Sequence, residues 1–177
     1  MSTMMRNLVN GAVGGALGTA VMSAVMMAGD RAGVMGTPPP KRIMRVTLPG
    51  QKHRPKPGED VLATIAHYAF GSTAGAVLGL VTGGRRIPLP LGAAYGLAIY
   101  IASYQGWVPR MGALPPATRD NFGRQAILAL GHIMYGTSLA ISMNRLKTEK
   151  IAGMRMPTRG YEAERVERVA RRPQPAY

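Results

Sequence analysis

The chain contains no cysteine. That excludes disulfides, thiolate metal sites, iron–sulfur clusters and cysteine nucleophiles. Acidic residues are scarce: 8 Asp and Glu stand against 22 Lys and Arg in 177 residues, a net charge of +14. No pair of carboxylates falls in an apolar segment, so the acid–base pairs of hydrolytic enzymes are missing. Hydroxyls such as Ser23 and Ser103 have no base at a recognisable spacing. Glycine-rich runs lack a following Lys-Ser/Thr, which removes the phosphate-loop reading. The chain reads as non-enzymatic.

Charge itself is missing from four long stretches. Leu8–Ala28, Val61–Gly84, Ile87–Pro109 and Gln125–Asn144 contain no Asp, Glu, Lys or Arg. Each approaches the ~20 residues that cross ~30 Å of hydrocarbon. The near-zero mean hydropathy is therefore the sum of an uncharged interior and basic segments between. The expected fold class is an all-α integral membrane protein with four transmembrane helices. Spans 8–28, 61–84, 87–109 and 125–144 form a domain over residues 1–145, and a basic polar tail fills 146–177. Leu8–Ala28 is read as a retained helix, because its glycines and length do not suit a signal peptide. The basic segments lie beside hydrophobic spans. Their partners are expected to be membrane lipids, anionic lipids included, and not nucleic acid.

The connecting segments carry their own signals. Residues 29–60 hold Pro38-Pro39-Pro40 and a run of Lys and Arg. Within them, Lys41–Leu48 suits either a short interfacial helix, with Ile43, Met44 and Leu48 toward lipid, or a solvated loop. Gly83-Gly84-Arg85-Arg86 makes a tight turn, so spans 2 and 3 are expected to be antiparallel neighbours. Tyr104 and Trp107 suit an interfacial aromatic belt. In the tail, Glu164/Arg168 and Glu167/Arg171 at i,i+4 favour a short exposed helix.

The spans repeat. His67-Tyr-Ala-Phe70-Gly71-Ser72-Thr73 in span 2 parallels His132-Ile-Met-Tyr135-Gly136-Thr137-Ser138 in span 4. Gly11 and Gly15 in span 1 parallel Gly92 and Gly96 in span 3. Met35-Gly36 followed by Pro38-Pro39 parallels Met111-Gly112 followed by Pro115-Pro116. The same order of three matches indicates an internal duplication: two like-oriented helical hairpins about an axis along the membrane normal.

Lipid gives helices no hydrophobic drive to associate, so small residues that admit close backbones supply the contact. The candidates are Gly71, Gly75 and Gly79 in span 2 and Gly136 and Ala140 in span 4. Ala12, Ala16, Ala20, Ala24 and Ala28 of span 1, and Ala94, Ala98 and Ala102 of span 3, add further ridges. His67 lies four residues before Gly71, and His132 four before Gly136, so each imidazole heads a small-residue ridge. An ionisable residue inside a membrane is a functional candidate by default. Three roles fit the pair. Neutral imidazoles can hydrogen-bond across helices. His67 and His132 at equal depth can supply two axial ligands to a b-type haem. They can also pass protons along a small-solute or proton pathway. No metal site is expected.

The glycine-rich first span, the His-x-x-aromatic-Gly of span 2, Tyr95-Gly96, Trp107-Val-Pro109 and Gly131-His132-x-x-Tyr135-Gly136 together resemble the YagU-like family of uncharacterised bacterial inner-membrane proteins. The resemblance covers roughly Asn7 to Met143 and implies location and topology, with no reaction. The leading expectation is an accessory or structural subunit that packs through its Gly/Ala faces, as a homo-oligomer or within a larger complex. It is placed in the inner membrane with both termini cytoplasmic.

Overall fold

The computed structural model describes residues 2–52 and 54–146. His53, the tail and its expected helix lie outside the described residues. Those described are all-helical, without strands. Three helices are long and apolar enough to cross a membrane: α1 (Thr3–Arg31), α3 (Glu59–Thr82) and α6 (Phe122–Leu146). Between α1 and α3 lies the short α2 (Pro39–Thr47).

The remaining apolar stretch is helical but divided. It comprises α4 (Leu89–Tyr100), a π-helical segment (Ile101–Trp107) and the three-residue α5 (Val108–Arg110). Pro109 explains the division. Proline has no N–H to give and collides with the carbonyl one α-turn earlier, and a wider turn before it relieves both problems. Ser103 Oγ donates to the carbonyl oxygen of Ile99 at 2.7 Å, further occupying the local backbone.

Local chemistry sets the ends. Ser2 accepts from the Met5 amide and caps α1. Glu59 and Asp60 open α3, where negative charge complements the helix dipole. Gly83, at φ +57°, closes it in a left-handed conformation that other residues rarely adopt. Pro88 precedes α4, and Pro90 lies in its first turn.

Glycine dictates the packing. A Cβ on Gly11 or Gly15 would collide with the Gly75 or Gly71 carbonyl oxygen. Gly79 meets Asn7 in the same way, so α1 and α3 run antiparallel with touching backbones. A Cβ on Gly92 would lie 2.5 Å from the Gly136 carbonyl oxygen and 2.7 Å from Ala140 Cβ, and one on Gly96 would strike the His132 carbonyl oxygen. This joins α4 to α6. Between the pairs, Gly14 and Gly18 of α1 receive Leu139 and Tyr135 of α6. The helices therefore pack in the sequence α3–α1–α6–α4. Leu139 and Ala140, both 0% exposed, lie at the centre.

Several expectations need correction. Spans 2 and 3 are antiparallel but do not pack closely, because α3 is committed to α1 and α4 to α6. The turn between them is held on α6: the Ile87 amide donates to Asn144 Oδ1 at 2.9 Å, and Asn144 Nδ2 donates to the Ile87 carbonyl at 2.8 Å. Of the alanine ridges, Ala20, Ala24 and Ala28 in α1 and Ala94, Ala98 and Ala102 in the α4 run are exposed. Glycine allows a closer approach than alanine, so the glycine faces turn inward and the alanines outward. Tyr104 is not interfacial. It is 3% exposed and donates to Asp120 Oδ2 at 2.5 Å. Lys41–Leu48 does contain a helix, but Ile43 and Met44 face the protein, not lipid.

Candidate functional site

Because α3 and α4 stand apart, a cavity of about 280 Å³ lies between them. Its back wall is built by Thr19, Met22 and Met26 of α1 and by Leu128, His132 and Tyr135 of α6. One side is Ala66, His67, Phe70 and Gly71 of α3. The other is Ile99, Tyr100, Ser103, Tyr104, Trp107 and Val108. Ala66, Phe70 and Trp107 are exposed on the outer face of the bundle, so the cavity opens sideways between α3 and α4. The Phe70 and Trp107 rings stand 6.4 Å apart at this mouth.

Two tyrosines tie α3 to the helices across from it. Tyr95 donates to the Ala74 carbonyl at 2.7 Å, linking α4 to α3. Tyr135 donates to the Gly71 carbonyl at 2.7 Å, linking α6 to α3. These bonds satisfy both hydroxyls in an apolar setting, where an unpaired one would be costly.

His67 and His132 both line the cavity and are half-buried. His132 Nδ1 lies 2.7 Å from the Leu128 carbonyl oxygen. A carbonyl only accepts, so Nδ1 carries the hydrogen and Nε2 offers a lone pair. His67 Nδ1 lies 3.5 Å from Ser23 Oγ, at the limit of a hydrogen bond. The Tyr100 ring is 5.5 Å from the His132 ring and stacks at 5.2 Å and 13° on Tyr104. Tyr100 and Tyr104 are four apart in one helical run and so share a face.

α2 covers the end of the cavity nearest the long loops. Pro39, Pro40, Ile43 and Met44 face inward. On the α3 side, Arg45 grips Glu59 with Nε and Nη2, at 3.0 and 2.7 Å. Glu59 also accepts from the Lys56 amide at 2.8 Å. This charge-assisted bonding holds the Arg45 guanidinium above its ordinary pKa. Lys56 Nζ donates to the Arg45 carbonyl at 2.7 Å and also to that of Leu48. Lys41 pairs with exposed Asp60 at 2.6 Å. On the α6 side Arg42 approaches Arg124 and Asp120. Burial first, and then Arg124, press its pKa below the ordinary value. Arg124 is itself bound to Asp120 at 2.9 Å and to the Met35 carbonyl at 2.8 Å.

The structure thus brings the two sequence-predicted histidines to one cavity. Gly71 reaches its wall, while Gly75, Gly79, Gly136 and Ala140 support the helix contacts. The aromatic lining, the lateral mouth and the α2 cover were not foreseen. Five aromatics on one side of the bundle were a usable signal only once α3 and α4 were known to part. Among the described residues, no three His, Asp or Glu side chains are grouped to hold a metal ion.

A family of unknown function, DUF6789, matches residues 5–153. No curated protein and no solved structure matches the chain.

Proposed function

The chain belongs to the DUF6789 family, and from that premise we propose that it is a non-enzymatic, four-span membrane protein that holds a membrane-soluble ligand in its lateral cavity. The observation that carries the reading is the cavity between α3 and α4: apolar walls, two imidazoles, and a mouth between the exposed Ala66, Phe70 and Trp107. Small-molecule sites have this character, largely apolar with a few placed polar groups. A mouth facing hydrocarbon favours a ligand already dissolved in the bilayer.

The fourth span is the α4–π–α5 run, which joins the loop side to the opposite side as α1, α3 and α6 do. Two like-oriented hairpins, α1/α3 and α4/α6, account for the repeat. Matched support comes from the glycine contacts within each hairpin and from Gly36 and Gly112, left-handed at φ +66° and +76°. The location is the bacterial inner membrane with both termini cytoplasmic, and the basic loops meet anionic headgroups. The YagU-like resemblance agrees with this location and adds nothing to the ligand reading.

The glycine faces are occupied within the chain. They account for the bundle, and assembly as a homo-oligomer or a subunit of a larger complex is a separate proposal. The haem reading uses the same two rings. It has one specific support: His132 Nδ1 is held by a carbonyl, as in ligating histidines, leaving Nε2 free. A solute or proton pathway is supported less, because polar groups on the lining are few.

Protein purified in mild detergent and extracted with organic solvent tests the proposal. One class of hydrophobic compound should emerge near one per chain from the wild type and be depleted from Ala66→Phe, which fills the mouth. A Soret band in the purified protein would replace this reading with the haem one. Identical extracts from both proteins would reject the cavity as a site.

A further inference from the structure

The cavity is richer in aromatic side chains than the chain that forms it. The sequence has 1 Trp, 7 Tyr and 2 Phe. Phe70, Tyr100, Tyr104, Trp107 and Tyr135, half of these, line this one space. A site for a saturated acyl chain needs only aliphatic walls. Aromatic walls add the stacked and edge-to-face contacts that a flat ring can make. Tyr104 and Tyr135 have their hydroxyls tied to Asp120 and the Gly71 carbonyl, so each contributes to the cavity mainly as a ring.

Size points the same way. About 280 Å³ suits a compact head and not a long tail as well. A tail would leave between Ala66, Phe70 and Trp107 into the surrounding hydrocarbon. The polar contact is supplied by the imidazoles: His132 Nε2 carries a lone pair that accepts from a ring hydroxyl. His67, against Ser23, stands on the opposite helix and can donate or accept according to tautomer.

Resting on the ligand-holding reading above, we infer that the occupant is a ring-headed, lipid-soluble compound of the quinone and quinol class, its ring between the aromatic walls and, in the quinol form, a ring hydroxyl donating to His132 Nε2. The geometry assigns binding, not an electron-transfer step. α2 covers the ring end of the site, and the tail end faces the bilayer.

The single tryptophan is the reporter, since Trp107 stands at the mouth. Wild-type protein in lipid nanodiscs is titrated with a decyl-tailed benzoquinone while Trp107 emission is followed. Saturable quenching is expected, and decyl alcohol, the same tail without the ring, should not reverse it. His132→Leu should weaken binding of the reduced quinol, whose hydroxyl donates to Nε2, by about tenfold, one lost hydrogen bond. If that variant misfolds, His132→Gln, which keeps a polar atom but moves it, should fold and bind the quinol more weakly than the wild type. Quenching that rises linearly with quinone in the bilayer, or equal quinol affinity in folded His132 variants, overturns the inference. Reversal by decyl alcohol overturns the ring class but leaves a hydrophobic ligand site standing. No saturable binding of either probe, with no compound in the organic extract, rejects both readings.

Discussion

The Tyr135 hydroxyl donates to the carbonyl oxygen of Gly71 at 2.7 Å, while the Tyr135 ring forms part of the cavity wall. One side chain thus ties α6 to α3 and shapes the space between α3 and α4. Removing only the oxygen separates the two roles. Tyr135→Phe should lower stability by about 0.5–1.5 kcal/mol, the net worth of one hydrogen bond. Thermal unfolding in detergent, followed by circular dichroism, measures this. A ligand enclosed by ring faces should bind the variant nearly as well as the wild type.

Two glycines in one helical run should respond oppositely. Gly96 lies against the His132 backbone, whereas a Cβ on Gly106 would have nothing within 4 Å. Gly96→Ala forces α4 from α6 and should cost ~1–3 kcal/mol or more, as overpacking does. Gly106→Ala should be neutral or slightly stabilising, since it only restricts the unfolded backbone. Melting curves of the two variants, side by side, decide the matter.

Asn144 is expected to hold the turn that carries the chain to α4. Its amide makes both hydrogen bonds to the Ile87 backbone. Asn144→Leu leaves a buried N–H and C=O without partners, at ~1–3 kcal/mol for each group left unpaired. Proteolysis at the adjacent Arg85 and Arg86 should accelerate, read as trypsin cleavage of protein in nanodiscs.

The two ion pairs that hold α2 should differ in weight. Arg45–Glu59 is partly buried and bidentate, while Lys41–Asp60 is exposed, and exposed pairs contribute little. The chain has no cysteine, so Met44→Cys provides one thiol on the inward face of α2. Adding Glu59→Gln should accelerate its labelling by a membrane-impermeant maleimide severalfold. Adding Lys41→Ala should leave the rate near that of Met44→Cys alone.

Much of the architecture could be read from the placement of charge. Uncharged stretches mark the helices, because charge is costly in hydrocarbon whatever the tertiary arrangement. The glycines at steps of four mark the contact faces for a similarly local reason. Which faces meet was less legible: an alanine ridge and a glycine ridge have the same spacing, and only the closer approach at glycine decides between them. The π-helical segment depends on how Pro109 is relieved inside a packed bundle, and periodicity does not register that. His67 and His132 stood out because few titratable side chains occur within apolar spans. The aromatic wall did not, since Phe70 and Trp107 meet only across the gap that α3 and α4 leave.

The most direct test of the ligand-holding account is a native mass spectrum of the chain released from nanodiscs, wild type beside Ala66→Phe. The account predicts a wild-type peak carrying one discrete hydrophobic adduct per chain that survives mild activation, and an Ala66→Phe peak at the bare mass. Bare mass for both proteins, or the same spread of annular lipids on both, would contradict it.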